Sequence, residues 1–150
     1  MKLKHLKHTD TLDFFSVEEN AFADIPMFQE SVAAGFPSPA EDYMDMDLNL
    51  HDYLVQNPSA TFCVKAIGES MKDAGIQSGD MMLVDRSLKP ENRSIVLAVI
   101  DGEFTVKRVN VANDALYLLP ENDSFTSIKI TEEMDFQVWG VVTYIIHKAG

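Results

Sequence analysis

The chain has one cysteine, Cys63, and one tryptophan, Trp139, in 150 residues. A lone cysteine excludes an internal disulfide and any cysteine-based zinc site. Its place in the run Thr61-Phe62-Cys63-Val64 marks it as a buried, inert thiol. Basic residues are scarce, 12 Lys and Arg against 24 Asp and Glu, for a net charge of −12. That balance argues against a grip on bare nucleic acid through its phosphates, so direct sequence-specific DNA binding is not expected. An acidic surface favours solubility and protein partners instead. Long hydrophobic runs are also missing: the stretch Val141 to Ile146 is far too short to span a bilayer. Lys2, Lys4 and Lys7 look like the start of a signal peptide, but Thr9-Asp10-Thr11-Leu12-Asp13 stands where its apolar stretch should be. A cytoplasmic protein with no membrane association is expected. Paired Cys motifs, His-x-x-x-His and Gly-rich phosphate loops are absent, and no metal or cofactor is expected.

What is present suits one globular domain: 46% apolar and 24% charged residues. Residues 1–43 have no sustained period and are punctuated by Pro26, Pro37 and Pro39, which reads as a flexible N-terminal arm. Glu41 to Asp47 carries four acids and reads as a solvated linker rather than a metal loop. Leu50, Tyr53 and Leu54 follow helical spacing, with His51 beside the stripe as a surface or cap residue and Pro58 as the stop.

From Ala60 onward the pattern is that of strands. Thr61 to Ala66, Met81 to Asp85 and Ser94 to Ile100 are short apolar runs. Asp101-Gly102 is a two-residue hairpin signal, and Glu103 to Val111 the return strand. Ala115 to Leu119 and Ser127 to Ile130 are shorter pieces. Phe136 to His147 is apolar on both alternation classes, as a central strand or one half-covered by a subunit interface would be. The expected fold is mainly β, a curled sheet or partial barrel, in a domain spanning 44–150.

Two residues carry candidate chemistry. Ser70 follows Gly68-Glu69 at the end of an apolar run, where a tight turn can expose its hydroxyl. Lys107 lies within a β-patterned segment; Thr105, Lys107 and Val109 share one face, Phe104, Val106 and Arg108 the other. Enclosing a lysine disfavours its ammonium form and yields a neutral amine. Serine and neutral lysine together make a nucleophile and its base, with no histidine needed. Gly-x-Ser alone is common in ordinary turns, and a lysine at a sheet edge is commonly just solvated. A Ser-His-Asp triad using His5, His8, His51 or His147 is possible in principle, but no placement in the sequence supports it. Backbone N–H groups of Glu69 and Ser70 are the candidate oxyanion donors.

The blocks Ala34-Gly35-Phe36-Pro37-Ser38-Pro39-Ala40-Glu41-Asp42-Tyr43, Asn57-Pro58-Ser59-Ala60-Thr61, Gly68-Glu69-Ser70-Met71, Gly79-Asp80, Val84-Asp85 and Asp101 to Lys107 resemble the self-cleaving LexA/UmuD class of Ser-Lys peptidases. The Phe-Pro-Ser-Pro-Ala block and the block ending at Lys107 resemble its UmuD-like branch. The resemblance implies a LexA-type peptidase domain, Ser70 as nucleophile, Lys107 as base, and Ala34-Gly35 as the scissile bond in the protein's own arm. It further implies a homodimer, cleavage stimulated by the RecA–single-stranded DNA filament in the SOS response, and a trimmed form that joins a Y-family (UmuC-like) polymerase in translesion synthesis. The competing readings are a non-catalytic binding module and a repressor-type self-cleaving regulator. The short arm and the acidic charge oppose the repressor. A signal peptidase would need a membrane anchor.

Overall fold

The computed structural model describes residues 2–18, 25–28, 44–68, 75–119 and 128–150. Among the described residues eleven strands run in chain order: β1 (Lys2–His8), β2 (Leu12–Glu18), β3 (Ile25–Phe28), β4 (Met44–Leu48), β5 (Thr61–Ala66), β6 (Met81–Asp85), β7 (Ile95–Ile100), β8 (Glu103–Ala112), β9 (Ala115–Leu118), β10 (Ile128–Lys129) and β11 (Phe136–Ile146). Nine of them form one antiparallel sheet in the order β1-β2-β5-β6-β11-β7-β8-β9-β10, while β3 and β4 pair as a separate ribbon. The protein is mainly β, as its alternating and apolar runs predict.

The sheet curls without closing. Phe14 of β2 and Phe104 of β8 meet edge to face at 4.9 Å, although β5, β6, β11 and β7 lie between their strands in the sheet order. Inside the curl, Leu12, Phe14, Val64, Ala66, Ile76, Met82, Val84, Leu97 and Val106 form one buried cluster. On the other face, Val96, Ala98, Val109 and Val141 form a second cluster, flanked by Leu116 and Leu118 of β9. A third joins Val55, Cys63 and Leu83. Cys63 is buried, and burial pushes its thiol up to about 11, so it is the inert thiol its sequence setting implies.

β11 is central, hydrogen-bonded to β6 on one side and β7 on the other, which accounts for its apolar residues on both alternation classes. It bulges between Val138 and Gly140. A Cβ at Gly140 would lie 2.6 Å from Val84 Cγ1 and 3.1 Å from the Asp85 carbonyl oxygen, so only glycine lets β11 pass this close to β6. At the β7–β8 turn, Asp101 (φ 50°) and Gly102 (φ 82°) are both left-handed, the conformation a two-residue hairpin requires.

Three details depart from the sequence expectations. Lys2–His8 and Leu12–Glu18, within the stretch read as an arm, form a hairpin whose second strand pairs with β5. The acidic segment read as a linker enters β4 from Met44 onward. The short helix α1 (Leu50–Leu54) is capped by Asn49, whose side chain accepts from the Asp52 N–H at 3.2 Å, but its buried face is displaced. His51 is buried, whereas Leu50 and Tyr53 are exposed. Val55, just beyond the helix, supplies the apolar anchor.

Candidate active site

The expected site draws on two pieces of chain, β8 and the connection between β5 and β6. Lys107 lies in β8 opposite Val96 of β7, on the face that carries Val109. It is partly buried, on the face that also carries the fully buried Val96, Ala98 and Val109. The alternation read from the sequence is the one observed: Val106 points into the curl, and Lys107 belongs to the opposite face. Ser70 and Glu69, the expected nucleophile and oxyanion donor, and Ala34 and Gly35, the expected scissile pair, lie outside the described residues.

Both ends of the segment that carries Ser70 are fixed. The Ala66 N–H donates to the Asp80 carbonyl at 2.9 Å, and the Gly79 N–H returns a bond to the Ala66 carbonyl at 2.8 Å. Ile67 is tied to the β1–β2 turn through its N–H to the Thr11 carbonyl at 2.8 Å. The Gly68 N–H donates to Ser78 Oγ at 3.0 Å. Within this neck Ile76 is fully buried in the same cluster as Ala66 and Val106, inside the curl, on the face of β8 opposite to the one that carries Lys107. Gly68 (φ 72°) and Gly75 (φ 75°) adopt left-handed backbone on either side, a conformation costly for a residue with a Cβ.

Asp80 holds the neck electrostatically. Its buried carboxylate accepts from the Gln77 N–H at 2.9 Å and contacts His147 Nδ1 at 2.6 Å. Burial alone pushes this carboxyl up, but the Gln77 N–H and the His147 ring outweigh it and leave it below the usual aspartate value. Asp85, at the other end of β6, behaves alike. Burial is outweighed by Ser87, which donates from Oγ at 2.6 Å and from its N–H at 2.8 Å, and by Asn57 Nδ2 at 2.6 Å. The Asp80–His147 contact joins residues 67 apart in sequence. Sequence reasoning set His147 aside as a residue near the chain end, and no local pattern points from it to Asp80.

Among the described residues no group of three His, Cys, Asp or Glu side chains is placed to hold a metal ion. His5 and His8 instead both contact Asp13 Oδ1, at 3.2 and 2.6 Å. No described helix is long and apolar enough to cross a membrane.

The profile of the family described as Peptidase S24-like matches residues 26–143, which include β5 to β8 and the whole neck. The chain belongs to the Peptidase S24-like family. It is 47% identical over 131 residues to Protein SamA of Salmonella typhimurium, covering 87% of this chain and 91% of that protein. Protein ImpA of Escherichia coli is 45% identical over 123 residues, 82% of this chain and 83% of its own. Protein MucA of Escherichia coli is 44% identical over 121 residues, 80% and 82% respectively. The UmuD-like, LexA/UmuD-class resemblance read from the motifs is thereby borne out. Family and relatives together support a self-cleaving serine peptidase with an SOS-associated role. The β1–β2 hairpin lies before the matched span.

Proposed function

We propose that this protein cuts its own chain between Ala34 and Gly35 with a Ser70–Lys107 dyad, and that the trimmed form serves as a subunit of an error-prone translesion polymerase. The observation that carries this reading is the match of a peptidase family over a span that contains both Ser70 and Lys107.

In this mechanism Lys107 Nζ takes the Ser70 hydroxyl proton as Oγ attacks the Ala34 carbonyl carbon. Backbone N–H groups of Glu69 and Ser70 stabilise the resulting oxyanion. The bond to Gly35 nitrogen breaks, and the Lys107 ammonium returns its proton to the departing amine. Water then attacks the Ala34–Ser70 ester with Lys107 again accepting a proton, releasing an Ala34 carboxylate and free Ser70. Alanine and glycine leave the scissile segment unobstructed in a narrow groove. Tethering raises the effective substrate concentration to about the millimolar range, so weak intrinsic binding suffices.

The domain division follows from this reading, a stretch over 1–43 that bears the cut and adds its β1–β2 hairpin to the sheet through β5, and a peptidase domain over 44–150. So do a cytoplasmic homodimer, stimulation by the RecA–single-stranded DNA filament, and a UmuC-like Y-family partner. The test is the rate of self-cleavage against pH in the wild type, Ser70→Ala and Lys107→Ala. Both variants should lose cleavage while keeping the wild-type circular dichroism spectrum. The wild-type rate should rise with pH until the fold fails, because the reactive lysine is the neutral one. A rate flat from about pH 6 to 10, or cutting at Ala34-Gly35 in either variant, counts against the dyad.

A further inference from the structure

The curled sheet leaves a seam between the β1–β2 hairpin and β8. A cavity of about 300 Å³ opens there, with Phe14, Phe62, Phe104 and Trp139 in its wall. The rings form a connected series. Phe14 stacks near Phe62 at 6.2 Å and meets Phe104 edge to face at 4.9 Å, and Phe104 meets Trp139 at 5.0 Å. Two cations stand over this series, Lys7 Nζ 5.1 Å from the Phe104 ring centre and the Arg86 guanidinium 5.0 Å from that of Trp139. Both side chains are exposed, and among the described residues neither forms an ion pair. Two cations with no carboxylate partner among the described residues are unexpected on a chain whose acids outnumber its bases 24 to 12.

We propose that this groove is a docking site for an extended acidic segment of a partner protein, one that inserts a bulky apolar side chain among the rings and sets carboxylates against Lys7 and Arg86. The volume lies at the lower end of the ~300–1,000 Å³ of small-molecule sites, which suits a side-chain anchor better than a whole cofactor. Aromatic and arginine side chains around a desolvated pocket are the composition of protein-binding hot spots. A nucleic-acid strand fits less well. The cleft that continues past Lys7 and Phe104 is lined by Asp10, Asp101 and Glu103, which would repel successive phosphates. A peptide needs carboxylates only at the cationic end. Leu6, Lys7 and Phe14 come from the hairpin that precedes the family match, so this wall is an addition to the matched span. Nothing in the docking surface requires the Ser70–Lys107 dyad, and its failure would leave that proposal standing.

Trp139 is the chain's sole tryptophan, so its emission reports on this groove alone. The test titrates the full-length chain, confirmed intact by mass, with the amidated peptide acetyl-Glu-Asp-Leu-Phe-Ser-Gly, acidic at one end only. A saturable change in Trp139 emission is expected. Anisotropy of the fluorescein-labelled peptide should show Lys7→Glu and Arg86→Glu each weakening binding by about fivefold or more, with thermal midpoints kept near wild type. Four results would overturn the proposal: no saturable change, equal binding of a peptide with lysine in place of every acid, tighter binding of an oligothymidylate, or an emission change produced by protein concentration alone, which would make a second copy the occupant.

Discussion

In β6 four of five side chains are buried, whereas in β1 every side chain from Leu3 to His8 is exposed. Both strands belong to the same sheet, one near its centre and one at its edge. The centre is held by apolar packing on both faces: Met82 and Val84 point into the curl, while Leu83 packs with Cys63 and Val55. The edge carries lysines and histidines, which discourage a further strand from adding to it. Between them, β2 buries Leu12 and Phe14 in the main cluster. The hairpin is therefore an edge in its outer strand and core in its inner one.

That comparison is most sharply tested at Phe14. Phe14→Ala should cost about 3–5 kcal/mol in urea unfolding, much like a central residue. Leu97→Ala, at the centre, sets the scale at about 2–5 kcal/mol. A loss near zero at Phe14 beside a full loss at Leu97 would mean that the hairpin is only loosely attached. Gly140→Ala probes the close passage of β11 over β6. With Val84 Cγ1 2.6 Å from the added Cβ, overpacking should lower stability by about 1–3 kcal/mol.

Acid should act on the neck and on the end of β6. Asp80 and Asp85 both have carboxyls held below the usual value. A group depressed in the folded state contributes stability above its unfolded value, about 3.9 for aspartate, and loses it as pH falls through the folded value. Urea midpoints should therefore fall progressively below about pH 4, and Asp80→Asn should show a shallower fall. An identical acid profile in Asp80→Asn would remove Asp80 from the account.

The same contrast explains how much was legible in the sequence. Central strands such as Met81–Asp85 and Ile95–Ile100 announce themselves as apolar runs, and Asp101-Gly102 names its own turn. The edge hairpin does not. Leu3 and Leu6 are three apart, which breaks a period of two, and the register shift between His5 and Lys7 is the bulge that absorbs the mismatch. Helix α1 showed its existence but not its phase. With five residues it cannot average out one misplaced position, and buried His51 lies outside the apolar stripe. At the candidate site, Lys107 and its alternation were readable from β8 alone. The Asp80–His147 contact was not, because it depends on β11 lying beside β6.

Intact mass spectrometry tests most directly whether the chain cuts itself. Wild type and Ser70→Ala would be incubated at mildly alkaline pH, with and without a RecA–single-stranded DNA filament. The account predicts wild-type fragments ending at Ala34 and beginning at Gly35, and an unchanged Ser70→Ala mass. A wild-type mass that stays whole with the filament present would contradict it.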